Sequence, residues 1–117
     1  MSFYSEKIKD VIVEVIGINR ATFKEAEEFK KLLDKDIDNG HSKIIVDLSN
    51  CNFMDSTFLS TIVTALKKVS KIGGNLKLVG VHSEAQALLE LTGTIKVFEI
   101  YKTKDEAVKS FSIKAVR

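Results

Sequence analysis

Proline is absent from this 117-residue chain, so no proline-rich linker divides it. Cysteine occurs once, at Cys51, which excludes an internal disulfide and removes any need for an oxidising compartment. No apolar run approaches the ~18 residues of a membrane span. Neither charge sign dominates: 18 basic residues face 16 acidic ones, a net charge of +2. The lysines are scattered among acids without interleaved aromatics, which argues against nucleic acid as a partner. Glycine pairs only once, at Gly73-Gly74, without the spacing of a phosphate-binding loop. The first residues, Met1 to Lys7, lack the basic-then-apolar order of a secretory signal, so a cytoplasmic location is expected.

What is present describes one α/β domain over residues 1–117. The apolar fraction of 44% and charged fraction of 29% are ordinary for a globular chain long enough to bury a core. Residues 11–18 are β-branched and apolar on both faces, the pattern of a central strand. Phe3 to Ile8 is expected to add a short edge strand. Thr22-Phe23-Lys24-Glu25 has capping-box spacing and opens a helix with Ala26, Phe29, Leu33 and Ile37 on one face. Asn39-Gly40 closes that helix.

Strand Lys43–Leu48 follows, then a second helix from about Ser56 to Ile72. Leu59, Ile62, Val63, Leu66 and Val69 form its apolar stripe, with Ser60, Thr64, Lys67 and Lys71 opposite. Gly73-Gly74 reverses the chain into a strand over Leu76–Val81. Ser83-Glu84-Ala85-Gln86 has capping-box spacing for a short helix that Gly93 ends. Ile95–Tyr101 is expected as a last strand, and Thr103-Lys104-Asp105-Glu106 caps a terminal helix to about Phe111. Alternating strands and helices imply a sheet with several parallel neighbours.

The densest chemistry lies at the strand-to-helix corner Asn52-Phe53-Met54-Asp55-Ser56-Thr57-Phe58-Leu59. An acid and two hydroxyls stand where a helix begins, and one oxygen suffices for a cap. The surplus hydroxyl is well placed for phosphorylation. Asp55 serves as the cap, as an orienter of Ser56, or as both. One carboxylate and two hydroxyls make a poor metal cage. Cys51 reads as a small apolar filler, and His41 and His82 as surface or turn residues. Lys67, Lys68 and Lys71 form a small basic cluster, read as a solvated face or as a dock for an acidic partner.

Phe53-Met54-Asp55-Ser56-Thr57 followed by Leu59 resembles the signature of the STAS domain, in particular the bacterial anti-sigma factor antagonists. Val69–Val79, with its Gly-Gly pair, is similar to the family's helix–turn–strand segment, and Leu91-Thr92-Gly93 to a later turn. The resemblance spans roughly residues 11–111. It implies a central mixed sheet of four to five strands packed against about four helices. It also implies a partner switch in which the protein is a binder and a substrate, not an enzyme, and needs no cofactor. The unphosphorylated form would bind an anti-sigma factor that is also a Ser/Thr kinase, freeing a sigma factor. Phosphorylation of Ser56, with Thr57 as the fallback acceptor, would end that binding, and a phosphatase would reset it.

The chain departs from the family pattern in two respects. Phe58 and Ser60 stand where small glycines are usual, and Gly17-Ile18-Asn19-Arg20 replaces an acidic motif. Asp55, Ser56, Thr57, Phe58, Ser60 and Arg20 are therefore the expected partner-binding residues, with Phe58 an apolar anchor on an exposed loop. The alternative function is a regulatory or structural STAS subunit of a larger assembly, such as a lipid transporter or a sensory complex.

Overall fold

A computed structural model describes residues 2–112. Strands β1 (Phe3–Ile8) and β2 (Val11–Ile16) form an antiparallel hairpin. β2 then pairs in parallel with β4 (Lys43–Asp47), β4 with β6 (Asn75–Val79), and β6 with β7 (Ile100–Tyr101). The five-stranded mixed sheet has the order β1-β2-β4-β6-β7. A separate two-stranded parallel ribbon joins β3 (Arg20–Ala21) to β5 (Phe53–Met54). The helices are α1 (Phe23–Asp38), α2 (Ser56–Lys71), α3 (Ser83–Thr92) and α4 (Lys104–Ser112).

Side-chain alternation along the strands divides the core into two layers. Ile12, Ile16, Ile44, Val46, Leu76 and Leu78 face α1, α2 and α3. Val11, Val13, Ile45 and Val79 face Ala107 on α4. The central strands are thus apolar on both faces, as parallel strands covered on both sides require.

The expected elements are present with shifted ends. β2 stops at Ile16, before the expected residue 18, because Gly17 turns against Ser2: its N–H donates to the Ser2 carbonyl at 2.7 Å. β6 starts at Asn75 and ends at Val79, since Gly80 adopts a left-handed φ of 70°. The capping box Thr22–Glu25 is present. At α3 the expected Ser83 box does not form. His82 occupies the cap position without a side-chain cap bond, and the Gln86 amide donates instead to Glu90.

The largest difference lies in the segment expected as a strand over Ile95–Tyr101. Gly93, at a left-handed φ of 77°, leads into a single 3-10 turn over Thr94–Lys96. Its apolar residues serve packing rather than pairing: Phe98 is buried and Ile95 packs against the core. Only Ile100–Tyr101 pairs with β6. Gly73 and Gly74 divide the reversal after α2. Gly73 has a left-handed φ of 85°, while a Cβ on Gly74 would collide with the Ser42 carbonyl.

One acidic pair is buried between layers. Glu14 on β2 is fully buried beneath α1, where Asp36 is 7% exposed. The Ser5 hydroxyl donates to Glu14 Oε1 at 2.6 Å. Glu14 Oε2 and Asp36 Oδ2 have no hydrogen-bond partner among the described residues. Burial, reinforced by Asp36, pushes the Glu14 carboxyl up to about 9. The raised value favours the protonated Glu14 carboxyl at neutral pH, whose O–H offers a donor toward Asp36.

Candidate functional site: the β5–α2 corner

Three loops meet at the corner before α2. The chain leaves β4 through buried Leu48 and Cys51 and reaches β5. The Asn52 and Phe53 N–H groups both donate to the Asn19 carbonyl, at 2.9 and 3.1 Å, and the Asp55 N–H donates to the Ala21 carbonyl at 3.1 Å. These bonds fasten the start of α2 to the segment that starts α1. Arg20 lies over the Phe53 ring, 4.2 Å from its centroid, as a cation–π pair.

Asp55 is the N-cap of α2, and its Oδ1 accepts from the Phe58 N–H at 2.9 Å. Its Oδ2 accepts from the Phe23 N–H at 2.9 Å. Phe23 is the first residue of α1, so one carboxylate satisfies orphan donors of two helices. Of the two roles open to Asp55, the cap is the one that the geometry displays. Ser56 and Thr57 are released from capping, and both are exposed.

From Ser56 a row of hydroxyls runs along α2. Ser56, Thr57, Ser60, Thr61 and Thr64 line a shallow groove of about 380 Å³ closed on one side by Lys30 of α1. Lys30 Nζ is paired with Asp34 Oδ2 at 2.8 Å, and Lys68 Nζ with Asp34 Oδ1 at 2.6 Å. The two lysines hold the Asp34 carboxyl below its usual range.

A second shallow concavity lies on the other side of Asp55, lined by Arg20, Phe23 and Phe53 among others. Phe23 is 65% exposed. In the sequence Phe23 reads only as a helix-start residue, because its place within the capping box hides that its ring lies exposed beside Asp55. A large apolar residue at the first helical position, off the Ala26–Phe29–Leu33 stripe, was the available signal.

Phe58 is not the exposed anchor expected from the sequence. It is fully buried, stacked on Phe29 at 5.1 Å and near Phe3 at 6.2 Å between ring centroids. At the third position of α2 it points inward with Leu59 and Ile62. Ser60 is exposed on the hydroxyl row, and Arg20 is exposed beside Phe53. The basic cluster divides: Lys68 turns to Asp34 on α1, while Lys67 and Lys71 border a different groove near α3.

Cys51 is a filler. Its thiol is buried, donates to the Phe53 carbonyl at 3.2 Å, and is pushed up by burial, away from nucleophilic character. His82 is exposed and its ring meets the Ser49 carbonyl at 2.6 Å. Among the described residues, no group of three His, Cys, Asp or Glu side chains is placed to hold a metal, and no helix is long and apolar enough to cross a membrane.

Sheet order, helix layers and a capped helix start bearing free hydroxyls define a small α/β domain built around one corner. The chain belongs to the STAS domain family, whose model matches residues 6–107. It is 33% identical over 104 residues to a protein of Thermotoga maritima named as a candidate anti-sigma factor antagonist, covering 88% of this chain and 92% of that one. A crystal structure of such a candidate antagonist from Thermotoga maritima superposes with a TM-score of 0.83 at 31% identity, covering 92% of each chain. The Bacillus cell-fate determinant SpoIIAA in its phosphorylated form shares the fold, with a TM-score of 0.75 at 16% identity over 93% of this chain and 98% of that one.

Proposed function

We propose that this protein is an anti-sigma factor antagonist that acts by phosphorylation-controlled partner switching, with Ser56 as the acceptor. One observation carries the reading: Asp55 spends both carboxylate oxygens on backbone caps, so the adjacent Ser56 hydroxyl is exposed and has no structural duty at the helix start. In the transfer, Ser56 Oγ attacks the γ-phosphorus of ATP on the partner kinase. The bond to the β-phosphate oxygen breaks, ADP leaves, and the hydroxyl proton passes to a base on the kinase.

The unmodified corner binds the anti-sigma factor kinase through Ser56, Thr57 and Ser60 on one side of Asp55. Arg20 and Phe23 contribute on the other. A phosphate adds about −1.5 to −2 charges and three acceptor oxygens to that surface. The helix N-terminus favours the new charge, and Asp55 opposes it. Lys30, in the same groove, is drawn from Asp34 toward the phosphate. Local gains and losses offset each other, so the fold persists. The partner is left to desolvate a dianion, and affinity falls. A phosphatase restores the binding form.

The test is to incubate the protein with the anti-sigma factor kinase of its own host and ATP, then map the product by mass spectrometry. Phosphate on Ser56 is expected, with loss of the complex. Phosphate on Thr57 alone would move the acceptor by one residue. Phosphate on neither, with the complex intact, would remove the switch. Co-purification with transporter subunits in place of a kinase would favour the role of a regulatory subunit.

A further inference from the structure

A groove of about 690 Å³ opens at the far end of α2, between that helix and the turn that follows α3. Its apolar lining is Val63, Leu66 and Val97, and its cations are Lys67 and Lys71. Lys67 stands 11 residues beyond Ser56, about 16 Å along the helix axis at 1.5 Å per residue. The groove shares no lining residue with the hydroxyl row.

Three features define what fits there. First, the volume falls within the range of small-molecule sites, roughly 300–1,000 Å³, and such sites combine apolar walls with a few placed polar groups. Secondly, the charge is of one sign. No carboxylate lines the groove, and among the described residues neither Lys67 nor Lys71 takes part in an ion pair, whereas their neighbour Lys68 is bound to Asp34. Thirdly, the charge is on one wall. Lys67 and Lys71 are four residues apart on a single helix face, while the facing wall carries Val97 and the hydroxyls of Thr92 and Thr94. Those hydroxyls are already engaged with each other at 2.9 Å, so the facing wall offers an apolar side chain and little free polarity.

A short apolar lining with two unpaired cations on one edge suits a molecule with one apolar tail and one anionic end. Three apolar side chains are too few to seat the row of anchors that an amphipathic helix presents. Val97 is 57% exposed, so the core does not need it covered. We propose that this groove binds a free medium-chain carboxylate, its tail against Val63, Leu66 and Val97 and its carboxylate between Lys67 and Lys71. The site is independent of Ser56, and the proposal stands whether or not that residue is a phosphate acceptor.

The test follows backbone amide shifts by heteronuclear NMR on the full chain. Decanoate, decyltrimethylammonium and acetate are titrated separately, each below any micelle concentration. Decanoate should give saturable shifts at Ser70, Lys71, Gly93, Thr94 and Val97. The cationic analogue and acetate should each bind at least about tenfold more weakly, since one lacks the charge match and the other the tail. Lys67→Gln with Lys71→Gln should weaken decanoate about five- to tenfold. Val97→Glu, at an exposed position, should abolish binding while leaving the amide spectrum elsewhere unchanged. Equal binding of decanoate and the cationic analogue would overturn the proposal. So would decanoate shifts confined to another surface, or no saturable shift at all. Concentration-dependent shifts at the groove without ligand would assign it to a second copy of the chain and also overturn it.

Discussion

Asp55 reaches across from the start of α2 to accept the Phe23 N–H at the start of α1, 2.9 Å away, while capping its own helix. The two residues are 32 positions apart, and their bond joins both helix N-termini to one carboxylate. The shared carboxylate leaves the Ser56 and Thr57 hydroxyls free of capping. Removing an N-cap costs ~1 kcal/mol, and losing a hydrogen bond to a charged group costs ~1.5–3 kcal/mol. Asp55→Ala should therefore lower stability by about 2.5–4 kcal/mol in urea denaturation. Asp55→Asn keeps one strong acceptor and should lose about half of that. A loss below ~0.5 kcal/mol for the alanine variant, the scatter of ordinary surface changes, would show that the double cap carries no stability.

Phe58 and Phe23 should behave as opposites. Phe58 is stacked in the core, so Phe58→Ala should cost about 3–5 kcal/mol. Phe23 is mostly exposed, and Phe23→Ala leaves its backbone N–H to Asp55 intact. Its stability should stay within ~0.5 kcal/mol of the parent, while affinity for the anti-sigma factor falls. Thermal melts and calorimetric titration of both variants separate the two roles. A stable Phe58→Ala variant that fails to bind would restore Phe58 as the anchor.

Where the sequence was readable, one residue type had one physical use. The β-branched run of β2, the Thr22–Glu25 box and the Asp55 cap each act locally, and each is found where periodicity and capping place it. Legibility ends where a tertiary neighbour decides. Phe58 follows an exposed hydroxyl pair and looks like loop, yet Phe29 and Phe3 draw it inward. Ile95–Tyr101 has strand composition, but only Ile100–Tyr101 pairs, while Ile95 and Phe98 pack on the core and Val97 is exposed. The ribbon of β3 with β5 is too short for a periodic signal and exists because the two helix starts are tied together. The Arg20–Phe53 pair follows from the same register, which no local pattern contains.

Charge at Ser56 should operate on the partner and not on the fold. Asp55 already caps α2, so Ser56→Ala should leave stability within ~0.5 kcal/mol of the parent. It should bind the anti-sigma factor as the unmodified protein does. Authentic Ser56-phosphorylated protein should keep its circular dichroism spectrum and lose at least about tenfold in affinity, or ~1.4 kcal/mol. Ser56→Asp, with one charge and fewer acceptors, should fall between them. Equal affinity for Ser56→Ala and the phosphorylated form would show that charge at this corner does not control binding.

The buried pair Glu14–Asp36 sets a pH dependence whose sign follows from burial. The folded state holds the Glu14 proton up to about 9, whereas an unfolded glutamate releases it at its ordinary value of 4.5. Between those values the native state binds one more proton than the unfolded state, so stability falls as pH rises, by at most about 1.4 kcal/mol per pH unit. The contribution is complete below the unfolded value and is lost by the time the folded value is passed. Glu14→Gln replaces the O–H donor with an amide N–H that needs no proton from solvent. It keeps a donor toward Asp36 and an acceptor for the Ser5 hydroxyl. Urea midpoints measured from pH 5 to pH 9 should decline for the parent and stay flatter for Glu14→Gln, the two curves separating most on the alkaline side. Parallel curves would mean that Glu14 is ionised in the folded protein. The orphaned oxygens of the pair would then need a donor other than this proton.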